Sequence, residues 1–295
     1  MSGLLARLID DAALFPPERA PMDEALSGHR AAVGAGARRA GGDPLVGRFL
    51  CPASRFAELR THLVPEDLLD LGVIADTGVE ELPKTLDAVR AEPRVRPSSV
   101  EIALPRDADQ ARAAAVTIAR LPSDIPARIE VRRAPGWLHA LDRITAARDS
   151  AQSVPDRGAA LGAKYRVGGP VTDEAPGSDE LAAFIAACAE RDLAFTCAAG
   201  PDHAFREASR HGFLNVLLAT ACAAAGEHER DVRRTLERTD AAGLAHDLLA
   251  LTEDEARAAR RLLTAFGTSD VRGARADLVT AGLIRTPDTG EDMSP

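Results

Sequence analysis

Lysine is nearly absent from this chain. Of its 36 basic residues two are lysine, Lys84 and Lys164, and the rest are arginine. Where a plain positive charge suffices the chain uses arginine, so a retained lysine points to a compact ammonium or to an amine that can lose its proton. Lys164 stands in Gly-Ala-Lys-Tyr-Arg-Val-Gly-Gly, which reads as a strand running into a glycine turn, and it is the leading pointer to a site. Aromatic residues are equally scarce, at 3%, and no basic cluster is interleaved with them, which speaks against nucleic acid as a partner. A net charge of −9 points the same way. The four cysteines, Cys51, Cys188, Cys197 and Cys222, form no CxxC pair and keep no zinc-site spacing with histidine, so they are expected to be reduced core thiols. No apolar run reaches the roughly 20 residues a bilayer requires, and the first residues lack a signal-peptide core. The expectation is a cytoplasmic protein without a membrane partner, and neither a metal nor another cofactor is called for.

What is present in quantity is alternation. Short β-branched or leucine-rich runs at 5–9, 46–51, 71–75, 99–104, 127–132, 160–167, 194–198 and, weakly, 263–267 alternate with helical patterns at 22–37, 54–62, 78–91, 107–120, 136–149, 178–191 and 274–281. Repeated βα units of this kind predict a parallel sheet, and about eight of them predict an α/β fold of the (β/α)8 TIM-like barrel type. The segment from His203 to Leu263 exceeds one crossover and carries helical patterns at 212–225, 229–238, 241–250 and from Glu253, the last opened by a capping box of Thr252 and Glu255. Extra helices in the C-terminal third are therefore expected. The stretch 213–219 is the alternative eighth strand, but the run from Leu217 to Ala225 is too alanine-rich for a strand, which favours helix. One domain over 1–286 with a disordered tail at 287–295 completes the expected organisation.

A strand buried on both faces should read as continuous apolar sequence, and three strands here do not. With side chains alternating along a strand, Glu101, Glu130, Arg132, Lys164 and Arg166 oppose the apolar residues beside them and point into one barrel interior. Buried charges must pair, bind a ligand or sit in a wet mouth. Strand carboxyl ends are where barrels of this kind place chemistry, so the candidate catalytic residues are Glu130, Lys164, Glu101 and Asp11. Candidate anion contacts are Arg132, Arg166 and Arg55, the glycine turns at Gly168, Gly169 and Gly200, together with His203, Thr268 and Ser269. Ser54 is a candidate N-cap, and His29, His62, His139, His228 and His246 fall on helical stretches and read as surface.

Four segments together resemble an uncharacterised group of actinobacterial proteins: Asp-Asp-Ala-Ala-Leu-Phe-Pro-Pro at 10–17, Lys-Tyr-Arg-Val-Gly-Gly at 164–169, Phe-Thr-Cys-Ala-Ala-Gly-Pro-Asp-His at 195–203 and His-Gly-Phe-Leu-Asn-Val-Leu at 211–217. That group carries a lysine after the phenylalanine of the third segment and two histidines at its end, where this chain has Thr196 and Asp202. The resemblance of the segment 211–217 to that group implies Asn215 as a further lining residue of the site. More loosely, the chain is similar to proteins proposed to close aziridine or azabicycle rings in natural-product biosynthesis, in which an amine displaces sulfate. The resemblance implies that Glu130 or Asp107 takes the ammonium proton while Arg132, Lys164, Arg166 and the glycine turns hold the leaving anion. The leading expectation is thus a cofactor-independent enzyme that eliminates or displaces sulfate or phosphate from a small anionic, amine-bearing substrate. Two alternatives stand beside it. Lys164 is the Schiff base of an aldolase or lyase, or the chain is a catalytically degenerate subunit. The expected partners are further copies of itself or a paralogue in a heterodimer.

Overall fold

The computed structural model describes residues 2–37, 45–152, 160–168, 176–198, 202–208 and 210–285. A short helix α1 (Ser2–Leu5) precedes β1 (Ile9–Asp11), α2 (Met22–Ala37), β2 (Val46–Pro52), a 3-10 turn (Ala53–Arg55), α3 (Phe56–His62), β3 (Leu69–Ile74), α4 (Leu82–Arg90) and β4 (Val95–Ala103). Next come α5 (Gln110–Ile118), β5 (Ala127–Glu130), α6 (Trp137–Gln152), β6 (Leu161–Arg166), α7 (Ser178–Glu190) and β7 (Phe195–Ala198). Four consecutive helices follow, α8 (Phe213–Ala224), α9 (Glu229–Glu237), α10 (Ala241–Ala250) and α11 (Glu253–Leu262), before β8 (Leu263–Thr268) and α12 (Val271–Thr280). The eight strands run parallel in sequential order, and β8 pairs with β1 to close the barrel. This is the (β/α)8 architecture, with the extra helices inserted between β7 and β8.

The first strand departs from its expected place at 5–9. Residues 2–5 are helical, and the chain reverses direction at Arg7 (φ 49°) before pairing Ile9 with both Val46 and Phe266. Leu4, Leu5 and Leu8 are buried, α1 lying against α11, so the aliphatic run that suggested a strand fills the core below the sheet instead. The strand proper is therefore Ile-Asp-Asp, and its two acids belong to the barrel wall rather than to a loop. Strand β5 ends at Glu130, two residues short of expectation, which leaves Arg132 on the loop beyond it. The stretch 213–219 is the start of α8, whose Phe213 stacks on Phe266 of β8 at 4.4 Å between ring centroids. Thr252 and Glu255 form the predicted capping box of α11. At the 3-10 turn, Ser54 caps no helix; its hydroxyl donates to Asp76 at 2.5 Å and so ties two loops together. The tail at 287–295 lies outside the described residues.

Outward-facing strand residues build the core between sheet and helices. Ile129, Val131, Ala163, Tyr165, Val167 and Phe195 are buried there, and Tyr165 stacks on Phe184 of α7 at 4.3 Å. The N-terminal end of the barrel is sealed by Arg260 of α11, which donates to the carbonyls of Leu263, Thr264 and Ala6. Burial pushes its guanidinium down to about 10, still a cation at neutral pH. Inside the barrel, Gly162 is required by close approach. A Cβ there would strike the Ala194 carbonyl oxygen and come within 3.1 Å of the Arg128 side chain lying across it.

Candidate functional site

The register sets the inward residues of β4, β5 and β6 side by side: Ala103 pairs with Glu130 and Glu130 with Lys164. Lys164 Nζ donates to Glu101 Oε2 at 2.7 Å and stands 3.5 Å from Glu130 Oε2. Glu130 Oε1 lies 3.3 Å from Arg166 Nε and 3.5 Å from an Arg132 guanidinium nitrogen. The side chains of Glu101 and Glu130 are buried at 3% exposure and that of Lys164 at 9%, whereas Arg132 and Arg166 reach solvent at 25% and 37%. Three cations thus share two carboxylates, with the arginines at the rim and the Glu-Lys-Glu group beneath them.

Gln110 explains why Arg132 holds its position past the strand end. This fully buried residue accepts the Arg132 backbone N–H through Oε1, while its Nε2 donates to the Pro105 and Ala108 carbonyls. Burial opposes the Lys164 ammonium, but the charges of Glu101 and Glu130 and the bond to Glu101 outweigh it and raise its pKa. Burial likewise opposes the Glu130 carboxylate, but Lys164, Arg166 and Arg132 together hold its pKa below the usual glutamate value. Both groups are therefore charged at neutral pH.

Below this group lies a second charged layer that the sequence pattern had not revealed. Asp10 of β1 takes two guanidinium bonds from Arg48 of β2, at 2.6 and 3.1 Å, and the Arg48 backbone N–H at 3.0 Å. Arg128 of β5, buried and donating to the Ala127 and Ala160 carbonyls, feels the charges of Arg48, Glu101 and Asp10. Burial pushes it down to about 10, so it also remains a cation. Arg48 carried the same signal as the other inward charges, a polar residue alternating with apolar ones in Val-Gly-Arg-Phe-Leu-Cys. Asp10 was hidden by the displaced first strand.

Among the described residues, the remaining candidates bond elsewhere or make no bond to the cluster. Asp11 faces outward, one residue on from the inward Asp10, and takes His29 Nδ1 at 3.1 Å and the Ala13 backbone N–H. His29 is consequently buried rather than on the surface. It lies on the face of α2 that also carries Met22, Ala25 and Leu26, an i, i+3, i+4, i+7 pattern. Arg55 is engaged by Glu58 on its own helical turn. His203 is half-exposed and 3.5 Å from Asp277 of α12. Thr268 donates to Asp202 at 2.7 Å, and Ser269 is buried with no hydrogen bond for its hydroxyl. Gly168 is half-buried just past β6, Asp107 is exposed before α5, and Gly169 and Gly200 lie outside the described residues.

Asn215 is fully buried in α8 and works as a brace. It accepts the Arg206 backbone N–H and donates to the Thr235 and Arg238 carbonyls at the end of α9. Replacing it with alanine orphans these groups and is expected to cost about 2–3 kcal/mol, measured by urea unfolding. A loss under about 1 kcal/mol would mean that these groups find other partners.

Cys51, Cys188 and Cys197 are buried, Cys222 is half-buried, and none forms a disulfide. Burial pushes the Cys51 and Cys197 thiols up to about 12, which makes them core rather than nucleophiles. Among the described residues no group of three His, Cys, Asp or Glu side chains could hold a metal, and no helix is long and apolar enough to cross a membrane. Comparison of the chain with protein-family models, curated proteins and solved structures gives no match.

Proposed function

We propose that the mouth of the barrel is the active site of an enzyme acting on a small metabolite that carries both an anionic group and an amine. In this reading the enzyme expels the anion, as sulfate or phosphate, by elimination or by displacement by the substrate's own nitrogen, which closes a ring. Arg132, Arg166 and the Lys164 ammonium hold the anion and stabilise the charge that grows on it as the carbon–oxygen bond breaks. Glu130 takes the proton that the ammonium loses when its nitrogen lone pair forms the new carbon–nitrogen bond. The observation that carries the reading is the surplus of one cation over the two carboxylates, with both rim arginines reaching solvent. Such a surplus is balanced by an anion from solution.

The raised pKa of Lys164 and its 2.7 Å bond to Glu101 favour an anion-holding ammonium over a Schiff-base nucleophile, which must reach the free amine. The test is to incubate the intact protein with a panel of O-sulfated and O-phosphorylated amino alcohols and to follow release of the inorganic anion. Release that requires the protein and disappears in Glu130→Gln and in Arg132→Met/Arg166→Met is expected. No release from any member of the panel, or undiminished release by these variants, would remove the assignment.

A further inference from the structure

We infer that Glu130 and the substrate's anionic group compete for the same two arginines, so that Glu130 becomes a competent proton acceptor only while an anion occupies the mouth. The inference rests on the anion-binding reading above and adds a specificity rule to it. An amine without the anionic group is refused at proton transfer as well as at binding.

The distances carry it. Charge-assisted N–H···O bonds run about 2.7–2.9 Å, and this barrel makes such bonds where it holds a charge firmly: 2.7 Å from Lys164 to Glu101 and 2.6 Å from Arg48 to Asp10. Glu130 has no contact of that kind. Its three cations stand at 3.3, 3.5 and 3.5 Å, and the Arg132 Nε makes no hydrogen bond. Lys164 is retained by Glu101, while Arg132 and Arg166 are loosely held, reach solvent and present the planar fork that fits a tetrahedral oxyanion. A doubly charged anion at the rim is the better partner for both.

The groups facing Glu130 are Lys164 and Arg166 from β6 and Arg132 beyond its own strand, with Glu101 of β4 behind Lys164. Drawing the two arginines toward an anion removes much of what keeps Glu130 acidic and leaves burial to make it more basic. Lys164 stays protonated throughout, so Glu130 is the group whose protonation changes. The proton it accepts comes from the substrate ammonium and passes to solvent after the anion leaves.

Titration calorimetry of the intact protein with sodium sulfate tests this. Sulfate keeps both its charges between pH 7 and 5. Glu130→Gln, which removes the competitor but keeps the shape, is expected to bind sulfate tighter than the native protein by on the order of tenfold. Native affinity should rise as the pH falls over that interval and that of Glu130→Gln should not. Native binding should also take up protons, read from the heat in two buffers of different ionisation enthalpy; this readout decides the matter if the variant does not fold. Equal or weaker binding by a folded Glu130→Gln, or native binding without proton uptake, overturns the gating. No sulfate binding by the native protein overturns the anion site itself and the function built on it.

Discussion

Lys164→Met is expected to destabilise the protein by about 3–5 kcal/mol at pH 7, because it leaves Glu101 and Glu130 buried without the ammonium between them. The loss should shrink on acidification. Without Lys164, Glu130 loses the largest charge that opposes its burial, its pKa rises, and the loss of stability narrows as the pH falls from 7 toward 5. The native protein behaves in the opposite sense. Its Glu130 pKa is lowered, so that contribution is present above the ordinary glutamate pKa and is lost as pH falls through the folded value. The Lys164 pKa is raised, so its contribution is complete below the ordinary lysine pKa and is lost as pH rises through the folded value. Urea unfolding of both proteins at pH 7 and 5 reads the variant's loss in an interval where both native contributions are complete. A loss under about 1 kcal/mol that ignores pH would mean that the cluster is hydrated like a surface pair.

The second large effect belongs to the lower layer. Arg48→Met strands the buried Asp10 carboxylate with one backbone donor, at a cost of about 3–5 kcal/mol. Asp10→Asn/Arg48→Met removes the charge as well as its partner and should recover much of that loss. A double-mutant cycle in urea is expected to show coupling of about 2–3 kcal/mol. Sulfate affinity should hold in the double variant, since this pair is fully engaged and lies beneath the mouth. Near-zero coupling would mean that the two charges are satisfied independently.

The contrast between the two layers explains what the sequence could and could not convey. Alternation of charged and apolar residues in strands that must be buried on both faces placed Glu101, Glu130, Lys164 and Arg166 inward, and the structure brings them within ion-pair reach of one another. It did not separate Asp10 from Asp11, because their roles turn on where a three-residue strand begins, and aliphatic content is a poor guide when a preceding helix uses the same leucines. His29 was misread although its spacing from Met22, Ala25 and Leu26 was in plain view; the unseen element was the carboxylate that satisfies it. Asn215 sits in a helix buried nearly all round, where a polar residue must bond to something, but the partners are carbonyls on another helix that no local pattern reveals.

The seam between β1 and β8 is short, three residue pairs joining positions near 10 and near 267. Because α11 passes into β8 with no intervening loop, and Arg260 of that helix clasps the Ala6 carbonyl, the last strand arrives with the inserted helices already behind it. Closure is thus a contact of very large chain separation, and it carries a correspondingly large loop-closure entropy. The enclosed interior that keeps Glu101, Glu130 and Lys164 away from water exists only once β1 and β8 have paired.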